Sequence, residues 1–197
     1  MARVTKLDTI EQLEITDRKQ WRAWLKKHHR RPEGVWLITW KKHTDNYVAY
    51  ADTVEEALCF GWIDSLPRKL DADRRMLYFC PRKPKSVWSQ LNKQRIEKLI
   101  ANGSMTKAGM AKIDAAKADG TWETLDAVDA LEIPADLKKG LAKNKLAKKN
   151  FNAFPPSGRK IILYWISSAR TEKTRIARIE KTIELAEKNI RANQPQK

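Results

Sequence analysis

The residues with the clearest capacity for chemistry lie in two stretches, residues 59–65 and 79–93. The first stretch carries one acid among aromatic and apolar side chains, and the second carries bases, a hydroxyl group and an indole. Two bases could hold an anionic group, indoles could supply stacking area, and a carboxylate could orient the guanidinium. We therefore predict a ligand-binding pocket formed by Trp62, Asp64, Arg82, Lys83, Ser86 and Trp88.

The same residues allow two other interpretations. An acid with apolar neighbours must pair with a base or shift its pKa upward, so Asp64 and Arg82 could form a structural ion pair. In that case Ser86 would only cap the following helix. Alternatively, the pocket around Asp64 could belong to an enzyme that carries no familiar motif.

Sequence motifs for cofactors and metals are missing. The chain has no G-x-G-x-x-G and no phosphate-binding loop, and His28, His29 and His43 do not form H-E-x-x-H. It also lacks a Cys-x-x-Cys pair and a G-x-S-x-G elbow. We expect no cofactor, no metal and no assigned catalytic residue, which favours a binding protein over an enzyme.

The charge of the chain is strongly positive and unevenly distributed. Forty Lys and Arg residues stand against 24 Asp and Glu residues in 197, a formal charge of +16. Residues 74–96 and 137–171 contain no acid. The second stretch is either a solvated helical surface or, as an alternative function, a weak nucleic-acid contact. The lysines concerned are Lys138, Lys139, Lys143, Lys145, Lys148 and Lys149.

The first half of the sequence reads α-β-α-β-β. Asp17 is predicted to cap a helix whose buried stripe is Trp21, Trp24, Leu25 and His28, with His28 as a core residue. A covered strand follows at residues 35–40, and Thr53 and Glu56 match a capping box for the next helix. Gly61 ends that helix. Strands at 62–70 and 76–81 then form a hairpin, which would bring the loop after the second strand close to Trp62 and Asp64.

Beyond Pro84 the pattern becomes helical, with segments near 88–101, 105–119, 135–144, 145–154, 157–169 and 171–191. The stripe Ile161, Ile162, Trp165, Ile166 and Ala169 is predicted to bury one helix, and Ile176, Ile179, Ile183, Ala186 and Ile190 the last. We predict an α+β fold with a small antiparallel sheet. Its domains are an α+β module at 1–84 and a helical region at 85–197 packed on it, with residues 194–197 frayed.

The sequence also predicts a location. Residues 1–8 contain no apolar segment typical of a secretory signal, and the apolar run 161–166 is too short to span a bilayer. Cys59 and Cys80 both lie in apolar segments and are predicted to be reduced core thiols. We expect a cytoplasmic protein without a membrane span.

Longer strings of residues resemble a known family. They are 56–65 (EALCFGWIDS), 79–83 (FCPRK), 86–89 (SVWS) with Asn92 and Lys93, 103–105 (GSM), 119–122 (DGTW), 165–170 (WISSAR) and 172–175 (EKTR). Together these strings resemble the YdeI/OmpD-associated, or bacteriocin-protection, family from about Trp21 to Ala186.

The resemblance implies an α+β module followed by a helical region, in a bacterial protein of stress response or bacteriocin tolerance. The family name implies a porin as a partner, and the resemblance transfers no catalytic residues. Combined with the predicted pocket, it indicates a protein that protects by binding an anionic ligand or a protein partner.

Overall fold

The computed structural model describes residues 9–194. The described residues up to Glu123 form one compact unit, and those from Thr124 form a second, each with its own apolar core. This division differs from the predicted one at residues 84 and 85, because two helices beyond Pro84 pack into the first core. The predicted fraying at 194–197 and the N-terminal residues 1–8 lie, except for Gln194, outside the described residues.

The first unit is built on a four-stranded sheet in the order β1-β2-β4-β3. Its strands are β1 (Gln12–Glu14), β2 (Val35–Trp40), β3 (Trp62–Lys69) and β4 (Arg74–Pro81). The α+β class is confirmed, with the sheet in the N-terminal half and helices in the C-terminal half. However, the sheet is mixed rather than purely antiparallel, because the short strand β1 pairs parallel to β2.

The first unit also contains the helices α1 (Arg18–His28), α2 (Tyr50–Cys59), α3 (Gln90–Ala101) and α4 (Lys107–Ala118). Helices α1 and α2 pack on one face of the sheet, and α3 and α4 pack against α2. Asp17 caps α1 as predicted, because its carboxylate accepts a hydrogen bond from the Gln20 amide at 2.9 Å. Trp21 and Leu25 are fully buried, but His28 is exposed and packs only its ring against Trp24, at 4.7 Å between centroids. The prediction of a core histidine is therefore wrong.

Helix α2 begins earlier than the predicted capping box. Its first residue is Tyr50, and the Thr53 hydroxyl donates to the Tyr50 carbonyl at 2.8 Å inside the first turn. Glu56 instead accepts hydrogen bonds from Arg18 and Arg22 of α1. Glu56 therefore contributes to the contact between α1 and α2 and does not cap the start of α2. Gly61 ends α2 as predicted, and its φ of +75° is a left-handed conformation that glycine adopts without strain.

The second unit consists of helices in its described residues. They are α5 (Asp126–Asp129), α6 (Ala135–Ala142), α7 (Lys145–Ala153), α8 (Pro156–Ser167) and α9 (Glu172–Glu187). The buried core includes Leu137, Phe151, Ile162, Ile166 and Ala186, whereas Ile161 and Ile176 of the predicted stripes are exposed. No described helix of the chain combines the length and the apolarity needed to cross a membrane.

Candidate functional site

The β3–β4 hairpin brings the predicted site residues into one region of the first unit. Trp62 pairs with Pro81 in the register, and the Arg82 amide donates to the Gly61 carbonyl at 2.9 Å. The antiparallel ladder therefore continues one residue beyond β4. This continuation carries Arg82 alongside the start of β3, which is the arrangement expected from the order of the strands.

Arg82 is a buried cation without a charged partner within salt-bridge distance among the described residues. Only 5% of the residue is exposed, and its guanidinium carbon lies 3.5 Å from the centroid of the Trp88 ring. Its Nη2 group donates to the Val87 carbonyl at 2.8 Å. Burial lowers the pKa of Arg82 to about 10, and the nearby charge of Asp64 acts in the opposite direction. The side chain nevertheless remains protonated at neutral pH.

Asp64 does not form the ion pair with Arg82 that one interpretation predicted. In the register it lies opposite Phe79, on the face of the sheet that the helices cover, and it meets Tyr50 at the start of α2. The Tyr50 hydroxyl donates to Asp64 Oδ2 at 2.8 Å. Burial, together with this hydrogen bond, raises the pKa of Tyr50 to about 12. The hypothesis of a catalytic Asp64 stays a prediction.

Ser86 closes a turn and does not cap a helix. Its hydroxyl donates to the Lys83 carbonyl at 2.7 Å, while Ser89 caps α3 by accepting from the Asn92 amide. Lys85 within this turn has a φ of +60°, an uncommon conformation for a residue with a side chain. The turn sets the position of the two residues that follow β4, Arg82 and Lys83.

Four of the six predicted site residues line one cavity of about 600 Å³, which we call the Arg82 cavity. These four are Asp64, Arg82, Lys83 and Ser86. Cys80 also lines it as a free, half-buried thiol, and burial raises its pKa. The second cysteine, Cys59, is free and buried. Both cysteines are thus unpaired thiols, and one of them borders the cavity.

The two indoles of the predicted site are buried. Trp62 is fully buried, and its Nε1 group donates to the His29 carbonyl at 2.9 Å. Trp88 is also buried, and its ring is covered by Arg82. It borders a smaller cavity of about 90 Å³ together with Arg82 and Lys112. Both rings belong to the apolar core of the first unit, and a ligand-binding role of Trp62 and Trp88 stays a prediction.

A large cationic cavity, absent from the sequence-based prediction, lies next to the Arg82 cavity. It measures about 810 Å³, and we call it the basic cleft. No acid lines it, and its charged lining residues come from the end of α1, the segment directly after it, and α4. They are Lys26, Arg30, Arg31, Lys107 and Lys112. The basic run at residues 26–31 was a visible signal, but its partner helix lies about 80 residues further along the chain.

The lysines proposed for nucleic-acid contact lie on or beside α6 and α7 of the second unit. All six are exposed, and none forms an ion pair with another described residue. Lys138 and Lys148 line a cavity of about 290 Å³ whose other lining residues are Ile133, Leu141 and Asn152. Among the residues described, no group of three or more His, Cys, Asp or Glu side chains could hold a metal ion.

These features define an α+β protein with a buried, uncompensated arginine beside a cationic cleft. Residues 13–112, just over half of the chain, match the model of a domain of unknown function, DUF8412, and the chain belongs to this family. Residues 130–189 match the family described as bacteriocin-protection, YdeI or OmpD-associated. No curated protein and no solved structure matched the chain.

The two matches refine the resemblance seen in the sequence. The YdeI/OmpD-associated assignment is confirmed for the part of the chain that contains the strings 165–170 and 172–175. The strings at 56–65 and 79–93 fall inside the DUF8412 match instead. The Arg82 cavity therefore lies in the part of the chain whose family description states no function.

Proposed function

We propose that the chain takes part in bacteriocin protection and stress response by binding an anionic ligand at Arg82, without catalysing a reaction. The protective role is suggested by the family description for residues 130–189. The binding role is supported by one observation in the first unit. A buried guanidinium faces a cavity and has no carboxylate within salt-bridge distance among the described residues.

The surroundings of Arg82 favour an anion as the occupant of this cavity. Burying a charge without a counter-ion costs free energy, which an anion in the cavity would recover. A guanidinium carries several N–H donors, and Arg82 commits one group to the Val87 carbonyl. The stack on Trp88 holds the guanidinium plane in place. The remaining donors at its edge are therefore free to bind oxygen atoms of a ligand.

The neighbouring residues support the same chemistry. Lys83 is exposed at the cavity, so a second cation can approach the ligand. Asp64 is held by the Tyr50 hydroxyl and leaves Arg82 unpaired. The cavity, at about 600 Å³, falls within the size range of small-molecule sites. An anionic group with several oxygen acceptors suits this site best.

Calorimetric titration with orthophosphate and with sulfate tests the proposal. We expect the Arg82→Met variant to bind either anion at least about ten-fold more weakly, since a charge-assisted hydrogen bond is lost. Arg82→Lys keeps the charge without the planar fork and should lose part of the affinity. Lys69→Met removes an equal charge from the far end of β3 and should bind as the unchanged chain does.

Circular dichroism would establish that each variant is folded before its titration is interpreted. Arg82→Lys serves as the second variant because it retains a cation over Trp88. If a folded Arg82→Met protein binds phosphate and sulfate as tightly as the unchanged chain, the proposed site is wrong.

A second candidate function is weak nucleic-acid binding through the lysines of α6 and α7. The observation that favours it is that all six are exposed and without an ion pair among the described residues. Fluorescence anisotropy with a labelled duplex should then show log K falling with log salt by about 0.9 per neutralised phosphate. Replacing Lys138, Lys139 and Lys148 by Gln should flatten this slope, and absence of binding at low salt would contradict the proposal.

A further inference from the structure

We infer that the ligand of the Arg82 cavity is a chain of linked phosphate groups that extends into the basic cleft. This inference rests on the proposed function, because Arg82 holds one end of the chain. It adds the class of the ligand and assigns a binding role to the cations of α1 and α4.

The cavities concerned adjoin one another at two places. Pro32 and Pro81 line both the Arg82 cavity and the basic cleft. Lys112 lines both the basic cleft and the small cavity that Arg82 and Trp88 border. A ligand that begins at Arg82 can therefore reach the cations of the cleft, whereas a single small anion can occupy only one of the two places.

Four of the five cations that line the basic cleft have no ion-pair partner among the described residues. Arg31 forms an ion pair with Glu11 and covers the Trp24 ring. In contrast, Lys26, Arg30, Lys107 and Lys112 form no ion pair with any other residue that the structure describes. Like charges that line one cavity repel each other within the screening length of physiological salt. A polyanion in the cleft would relieve this repulsion.

Helix α4 adds to the positive potential of the cleft. Its first residues, Lys107 and Ala108, line the cavity, and its first turn contains no acid. The N-terminal end of a helix carries a partial positive charge and amides without an acceptor within the helix. A lysine at this position is therefore unfavourable for the isolated helix. The arrangement becomes favourable when a phosphate group binds beside it.

The aromatic residues around the cavities favour recognition of phosphates over recognition of bases. Phe60 lines the basic cleft but is buried, and its ring contacts both His29 and Arg22. Trp88 is covered by Arg82. Tyr78 lines the Arg82 cavity and is half-buried, and its ring packs against Trp36 at 5.4 Å between centroids. Single-stranded nucleic acids are held largely by several bases stacked on accessible aromatic rings, and these three residues do not form such a platform. The phosphate chain itself is thus the group that the site recognises.

Titration with orthophosphate, tripolyphosphate and ATP tests the inference. We expect tripolyphosphate to bind at least about ten-fold more tightly than orthophosphate, because it gains contacts with the cleft cations. The double variant Arg30→Gln/Lys107→Gln should lose this advantage and keep its affinity for orthophosphate. The matched control Lys42→Gln/Lys69→Gln removes two charges near the opposite end of the sheet and should keep both affinities.

The outcomes separate this inference from the proposed function. If orthophosphate binding depends on Arg82 but tripolyphosphate binds no more tightly, the extended ligand is wrong and the anion site stands. If no probe shows binding that depends on Arg82, the proposed function itself fails. ATP should match tripolyphosphate; much tighter binding of ATP would show that the base contributes, and would overturn recognition through phosphates alone.

Discussion

Glu56 and Arg82, two of the buried charged residues in the first unit, have opposite surroundings. Glu56 is 3% exposed and accepts hydrogen bonds from Arg18 at 2.5 Å and Arg22 at 2.6 Å. Arg82 is as deeply buried, but its hydrogen-bond partner is a neutral carbonyl and its ring contact is Trp88. Glu56 is therefore satisfied by the fold, which identifies it as a structural residue. Arg82 retains capacity for a further, negatively charged partner.

Glu56 provides a direct test of this contrast. In Glu56→Gln, Arg18 and Arg22 lose their shared buried carboxylate charge, and one of them meets an amide NH₂ group in place of an acceptor oxygen. We therefore expect the free energy of unfolding to fall by about 2–4 kcal/mol. Chemical denaturation followed by tryptophan fluorescence would measure the change, since Trp21, Trp24, Trp36, Trp62 and Trp88 lie in the same unit.

Glu55→Gln is the matched control on the same helix. Glu55 is more exposed, and its ion pair among the described residues is with Arg18, at 3.1 Å. Its loss should change the free energy of unfolding by no more than about 0.5–1 kcal/mol. Equal effects of the two substitutions would contradict a structural role specific to Glu56.

At the scale of the elements, the sequence predicts strongly patterned segments well and short or uncapped ones poorly. Strand β2 and the β3–β4 hairpin follow from β-branched and aromatic residues with turn residues between them. Strand β1 is only three residues long and pairs parallel to β2, so no alternation marks it. Helix α2 begins after Ala49, whose side chain provides no capping hydrogen bond, and the Thr53–Glu56 spacing therefore misplaced its start.

Distance along the sequence explains which part of the site could be predicted. The hairpin is local, so its register brings Arg82 to the start of β3 with only a few residues of loop. The basic cleft instead depends on α1 and α4, which are distant in sequence. Helix α4 is fixed near the end of α2 because the Thr106 hydroxyl donates to the Cys59 carbonyl at 2.6 Å. Side-chain spacing within one segment carries no information about such a contact.

Close packing of the backbone at α4 requires a glycine. A side-chain carbon built at Gly109 would lie 2.5 Å from the Cys59 carbonyl oxygen and 2.8 Å from that of Leu58. Only a residue without Cβ allows the first turn of α4 to approach the end of α2 so closely. Gly109 thereby helps to position Lys107 and Lys112 at the basic cleft.

At the scale of the whole molecule, the basic residues behind the charge of +16 are arranged differently in the two units. In the first unit, cations surround cavities, and a buried arginine borders them. In the second unit, the lysines of α6 and α7 are exposed, and two of them, Lys138 and Lys148, line a cavity of about 290 Å³. The excess charge therefore does not indicate one common ligand. Each unit has its own surface chemistry and its own family match.

The second unit also has its own core, which predicts that residues 124–197 fold alone. Phe151 is fully buried there with Leu137, Ile162 and Ile166. A single core of this size supplies only about 3–5 kcal/mol of stability. Removing the Phe151 ring should cost about 3–5 kcal/mol, because it leaves a cavity. The fragment should therefore be helical and unfold cooperatively, whereas the Phe151→Ala fragment should be largely unfolded.

Circular dichroism and the emission of Trp165, the single tryptophan in this fragment, would follow both properties. Lys149→Ala is the matched control, because Lys149 is exposed on the same helix and Ala is a favourable helix residue. This variant should unfold at the same denaturant concentration as the unchanged fragment. A fragment without cooperative unfolding would show that the apolar core of the second unit cannot stabilise its fold without the first unit. Every stability measurement on this chain would then have to treat the two units as one folding unit.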